Sequence, residues 1–222
     1  MISTPHKTSE PRILSKHNIT HAVLYVLGAL FIALAVVLIV KSELGTTPWD
    51  TLHVAISTVS PLTLGMATIL VAVSITVFVI WYRKSWRYLL MAIPIIIVGS
   101  FIDLLNLYIL DEFVPVGNVR MVTFLFGSLL LPLGGVFLII SKYPAGVFDE
   151  LMLALMKMFK TRKMLFVRIL LELSPIVIAV LLTGLFKGTL GSLYIGTAFL
   201  VIIIGPMMQF YINIIRRIKD ED

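Results

Sequence analysis

Three ionisable residues interrupt what would otherwise be uninterrupted apolar stretches: Asp103, Arg168 and Glu172. A charged side chain in hydrocarbon costs several kcal/mol unless it is paired or hydrated, so such positions are candidates for solute or proton sites. Arg168 and Glu172 are four apart, share one helical face and can pair. Counted from Met164, Glu172 lies ~12 Å along its helix, whereas Arg168 is shallower and long enough to snorkel. The structural reading is an ion pair that fixes helix orientation. The chemical reading gives Arg168 an anionic group to attract and Glu172 a proton to exchange. Asp103, ~12 Å in from Asp111 by the same rise, has Asn106 on its face and offers a second exchangeable proton. Gln209, with Asn213 and Thr197, supplies polar groups that either line a solute path or hydrogen-bond neighbouring helices.

Soluble-enzyme chemistry is not expected. With no cysteine, disulfides, thiolate zinc sites and thiol catalysis are excluded. His6, His17, His21 and His53 form no metal-ligand spacing, and His53 reads as lying outside the membrane. Ser174-Pro175 has no histidine nearby, and no glycine-rich phosphate loop is present. Neither a metal nor a cofactor is expected.

The elements that must position these side chains are membrane spans. The chain is 59% hydrophobic and 14% charged, against about 25% charged in soluble domains. Six stretches are long enough to cross about 30 Å of hydrocarbon. They lie near residues 19–40, 63–82, 88–110, 121–141, 164–184 and 192–214. The first, of 22 residues, exceeds a secretion-signal core and reads as a retained span. With the N-terminus in the cytoplasm, fourteen Lys and Arg fall on inner segments and three (Lys41, Arg120, Lys187) on outer ones. That bias places both termini inside. Trp81, Tyr82 and Trp86 flank the inner Arg83–Arg87 cluster, where an aromatic belt belongs. The net charge of +6 is therefore topological, and nucleic acid is not an expected partner. The expected organisation is a cytoplasmic tail (1–18), a first repeat (19–110), an external loop (111–120), a second repeat (121–214) and a cytoplasmic tail (215–222).

The two halves match under a shift of 99 residues, with eight identities in 28 positions between Gly28 and Ala55, including Ser42/Ser141 and Asp50/Asp149. Composition alone would give about three. Three spans per copy is an odd number, so the second copy enters the membrane inverted. After its first span each copy carries a short segment. In the first, Thr47 caps, Pro48 suits the opening position and Asp50 suits the positive helix end, with Trp49 on the apolar face. The second keeps Gly146, Phe148 and Asp149. Each segment is either an interfacial amphipathic connector, the reading its amphipathicity favours, or a re-entrant helix whose N-terminal amides line a central site.

The run Leu44-Gly45-Thr46-Thr47-Pro48-Trp49-Asp50-Thr51-Leu52-His53 with Leu64-Gly65, the run Gly146 to Met152, and Ile204-Gly205-Pro206 resemble the YczE/YyaS/YitT-like bacterial membrane proteins. The resemblance extends from about residue 20 onward. Val147-Phe148 departs from the second copy's usual Pro-containing pair. The resemblance implies a multi-pass protein of the bacterial cytoplasmic membrane and brings no catalytic residues with it.

Together these readings predict an all-α polytopic bundle of about six spans, built as two inverted three-helix repeats, in contact with a lipid bilayer. The expected function is transporter-like carriage of a small polar or amphiphilic solute. The alternative is an accessory protein that supports a complex through a membrane protein partner or a homo-oligomer.

Overall fold

A computed structural model describes residues 17–142, 147–161, 163–188 and 191–220. Gly146 of the second short motif lies outside the described residues, as does the side chain of Asp149. Among the described residues there are eight α-helices: α1 (His17–Ser42), α2 (Pro48–Val59), α3 (Leu64–Arg83), α4 (Ala92–Leu104), α5 (Asn118–Ile140), α6 (Val147–Met158), α7 (Met164–Lys187) and α8 (Ile195–Asp220). Six segments are long and apolar enough to cross a membrane: Ile19–Ser42, Leu64–Arg83, Tyr88–Ile109, Asn118–Ile140, Met164–Lys187 and Ile195–Arg217. Their ends agree with the six apolar stretches to within three residues.

The third span is composite. A 3-10 turn (Trp86–Met91) leads into α4, and a π turn (Leu105–Ile109) follows it, closed by Leu110 N–H donating to the Leu105 carbonyl at 2.7 Å. Pro94 sits in the first turn of α4.

Packing between spans relies on small residues, since lipid removes most of the hydrophobic drive for helices to associate. Along the α1–α5 seam, a Cβ at Gly28 would meet the Gly134 carbonyl at 2.9 Å, and a Cβ at Gly127 would meet the Ala35 carbonyl at 3.1 Å and Ile39 at 2.8 Å. Positions 99 apart repeat local geometry as well. Ser42 and Ser141, both buried, each donate to the carbonyl three residues back at 2.6 Å, and Glu43 and Lys142 each adopt positive φ.

The short helix α2 lies inside the bundle, whereas α6 buries one side and leaves Leu153 and Met158 exposed. α2 packs on α7 and α3, and α6 packs on α3 and α7. Leu52, Ala55, Leu151 and Ala154 are all buried, the first three in one core with Val71, Ile75 and Val79 of α3 and Val167, Leu171 and Ala179 of α7. For α2 this departs from the expected flat-lying connector, while α6 keeps one-sided burial. An interfacial helix buries one face, whereas α2 is enclosed by neighbours on its apolar and its polar faces alike.

Two seams differ. α4 packs closely along α3, where a Cβ at Gly99 would meet Ile69 at 2.5 Å and the Gly65 carbonyl at 2.8 Å. No comparable seam joins α7 to α8 among the described residues; α8 rests on α5 instead. Gly205, in the middle of α8, has open space where a Cβ would go.

Candidate functional site

The local sequence at the start of α2 places a polar cluster in the bundle interior. Thr47 is extended (φ −63°, ψ 159°) and caps the helix: its Oγ1 accepts from the Asp50 N–H at 3.2 Å and donates to Asp50 Oδ2 at 2.5 Å. Pro48 follows in the first turn. This is the reciprocal use of a hydroxyl and a carboxylate that helix starts favour.

Three residues on, one turn up the same face, His53 Nδ1 stands 3.3 Å from Asp50 Oδ1. A carboxylate only accepts, so Nδ1 carries the hydrogen and Nε2 holds the lone pair in the neutral ring. His53 is 3% exposed and Asp50 7% exposed. Nε2 is buried and has no hydrogen-bond partner among the described residues. Beside this pair, Thr46 Oγ1 lies 2.9 Å from Thr51 Oγ1 and 3.3 Å from Ser192 Oγ. The Thr46 N–H donates to Thr197 Oγ1 at 3.2 Å. Gly45 permits this approach: its φ is +129°, and a Cβ there would meet the Thr197 nitrogen at 2.5 Å. Gly196 N–H then donates to the Leu44 carbonyl at 2.9 Å. Polar groups of the first half thus close directly on the start of α8.

Trp49 and Phe148, 99 positions apart, are in contact with ring centroids 4.4 Å apart and planes tilted by 37°. The first turns of α2 and α6 therefore meet. Glu150, in the first turn of α6, pairs with Arg83 of α3 at 3.5 Å.

The ionisable residues expected to share a solute site do not converge. Asp103 caps α3 from α4: Oδ2 accepts from Thr63 Oγ1 at 2.5 Å and Oδ1 from the Gly65 N–H at 2.8 Å. Thr63 is itself the cap residue of α3. Both carboxylate oxygens are thus engaged with a neighbouring helix end, which explains why the charge is tolerated there. Arg168 and Glu172 do pair, Nε to Oε1 at 3.1 Å, on an outward face of α7, where Arg168 is 62% exposed. Gln209 is exposed on α8 and donates to Asn213 at 2.8 Å.

Between α7 and α8 is a shallow cleft of about 360 Å³, lined by Ile176, Leu193, Tyr194, Thr197, Ala198, Val201 and Ile202. By helical spacing Glu172 and Arg168 continue the Ile176 face, and Gln209 continues the Ile202 face. No cluster of three or more potential metal ligands occurs among the described residues.

Thr197 had been singled out from the sequence as a polar group of its span, whereas His53, Thr46 and Thr51 had been given no role. The signal available was the i, i+3 spacing of Asp50 and His53 in a segment read as external. Burial was the missing fact.

Six helices long and apolar enough to cross a membrane, with the short α2 enclosed among them, define a multi-pass helical bundle of membrane type. The chain belongs to the family described as "Family of unknown function (DUF6198)", whose model matches residues 19–213. It is similar to the Bacillus subtilis (strain 168) protein named "Uncharacterized protein YyaS", with 29% identity over 195 residues, covering 87% of this chain and 92% of that protein. This bears out the YyaS-like resemblance. No solved structure matches the chain.

Proposed function

We propose that the protein is a carrier of the bacterial cytoplasmic membrane, with both termini in the cytoplasm. It would move a small polar or amphiphilic solute by alternating access between two inverted three-helix repeats, without a catalytic step. The observation that carries this reading is the unequal closure of two matching seams. α3 and α4 of the first repeat are locked at Gly65 and Gly99, while α7 and α8 of the second stand apart at Gly205. In an inverted pair, exchanging the two halves' conformations opens the opposite face.

The inversion itself is supported by exchanged contacts. α2 packs on α7 as α6 packs on α3, and α4 on α1 as α8 on α5. Trp49 touching its counterpart Phe148 fits a twofold axis passing between them, since equivalent residues meet only near such an axis. Arg168, Glu172 and Gln209 then flank the open α7–α8 cleft as candidate solute contacts.

The absence of cysteine allows clean paired labelling. Spin labels at Ile176→Cys and Val201→Cys report the α7–α8 seam, and labels at Val73→Cys and Ile96→Cys report α3–α4. The carrier reading expects two populations at each seam, with one narrowing as the other widens. A single fixed α7–α8 separation across lipid and pH conditions would contradict it.

The exposed Arg168–Glu172 pair also supports a second reading, in which a partner helix covers α7 and the protein is an accessory subunit. That reading expects a stable copurifying membrane protein, lost on Arg168→Leu/Glu172→Leu. Retention of the partner, or its absence from the native preparation, would reject it.

A further inference from the structure

Burying a histidine beside a carboxylate while leaving its second nitrogen unpartnered is costly, because a buried acceptor without a donor forfeits its hydration. The bundle could avoid that cost with an apolar residue at position 53, as it does at the neighbouring Leu52 and Ala55. The arrangement gives the orphan nitrogen one chemical capacity that needs no cavity: it can take a proton. We propose that Asp50 and His53 form a buried proton-exchange site, with His53 Nε2 as the atom protonated and Asp50 as the fixed counter-charge.

The Nε2 lone pair forms the new N–H bond with a proton from water. Nδ1–H stays donated to Asp50, and the imidazolium–carboxylate pair is neutral overall. Release returns the proton to water and restores the neutral ring. No other reactant is involved. Asp50 is suited to this role because Thr47 Oγ1 donates to its other oxygen and so helps hold the carboxylate toward the ring.

Other charges do not take over Asp50's part. On the elements packed against α2, Arg83 of α3 pairs with Glu150 of α6, and Arg168 of α7 pairs with Glu172. Lys157 and Lys187 stand in the last turns of α6 and α7. On α1, which Val54 approaches, Lys41 reaches the Asp111 carbonyl. Among the described residues Asp50 is the only carboxylate that pairs with His53.

A buried Asp50–His53 site exchanges a proton only when water reaches it, and the start of its helix is tied through Thr46 to Ser192 and to Thr197 of the open α7–α8 cleft. This deepens the carrier reading by naming a proton as the coupling ion, and it moves proton exchange away from Asp103 and Glu172, where the sequence had placed it.

The test is nitrogen-15 NMR of histidine-labelled full-length protein in lipid nanodiscs, titrated from mildly alkaline to acid pH. Loss of one signal set in His53→Gln assigns the residue. Should that variant fold poorly, a protein with His6, His17 and His21 replaced by Gln leaves His53 as the single histidine. The expected result is the Nδ1–H tautomer at alkaline pH and its reversible conversion to imidazolium in the folded protein, with the tautomer preference lost in Asp50→Ala, which removes the carboxylate that accepts from Nδ1. An Nε2–H tautomer, a ring that stays neutral until the protein unfolds, or an Nδ1–H preference that survives Asp50→Ala would each overturn the proposal. None of these readouts requires a transported solute. Immobile seams with a titrating His53 would sink the carrier reading alone, and moving seams with an inert His53 would sink the proton site alone.

Discussion

Substitution of Asp103 separates two roles that one carboxylate could play. As an exchangeable proton site, Asp103→Asn would abolish pH-dependent behaviour and leave stability nearly unchanged. As a cap, the opposite holds. Its two oxygens accept from Thr63 Oγ1 at 2.5 Å and the Gly65 N–H at 2.8 Å. Hydrogen bonds to a charged acceptor contribute roughly 1.5–3 kcal/mol each, and they are not additive when the donors share one helix end. Asp103→Leu removes both acceptors and strands two donors, so a loss of about 3–4 kcal/mol is expected. Asp103→Asn retains one carbonyl oxygen and loses the charge at the positive end of α3, so about 1–2 kcal/mol is expected. Reversible unfolding in mixed micelles at increasing denaturing-detergent fraction measures both, with the His53 titration as a control that should not move. If Asp103→Asn matched the unaltered protein in stability and displaced the His53 titration, the capping argument would fail.

Two glycines at matching places should respond in opposite ways. Gly99→Ala puts a methyl group 2.5 Å from Ile69 and 2.8 Å from the Gly65 carbonyl, so overpacking of about 1–3 kcal/mol should appear as lowered unfolding resistance. Gly205→Ala enters open space and should leave stability unchanged or raise it by up to about 1 kcal/mol through helix propensity. In spin-label measurements the same change should thin the closed α7–α8 population, and equal penalties at the two positions would contradict the open seam.

The spans were legible because their cause is local. About twenty apolar residues in a row have one economical environment, and the run of such residues along the chain is all that is needed to find them. The start of α2 was legible for the same reason: Thr47, Pro48 and Asp50 satisfy each other within four residues, and the structure keeps that arrangement. The pairing of Arg168 with Glu172 followed from helical spacing alone.

What tertiary structure decided is everything that depends on which surfaces meet. Amphipathic spacing in α2 reads the same whether its apolar face rests on lipid or on α3 and α7. Only enclosure by those helices turned His53 from a presumed external residue into a buried base. Asp103 looked costly because its partners, Thr63 and Gly65, are 40 and 38 residues away on another helix. The repeat was visible as matched letters, but letters carry no conformation. Gly99 and Gly205 correspond along the chain once a seven-residue slip in the loop is added to the 99-residue shift, yet one is packed and the other open, because the energy that separates those states lies in helix–helix contacts rather than in either residue.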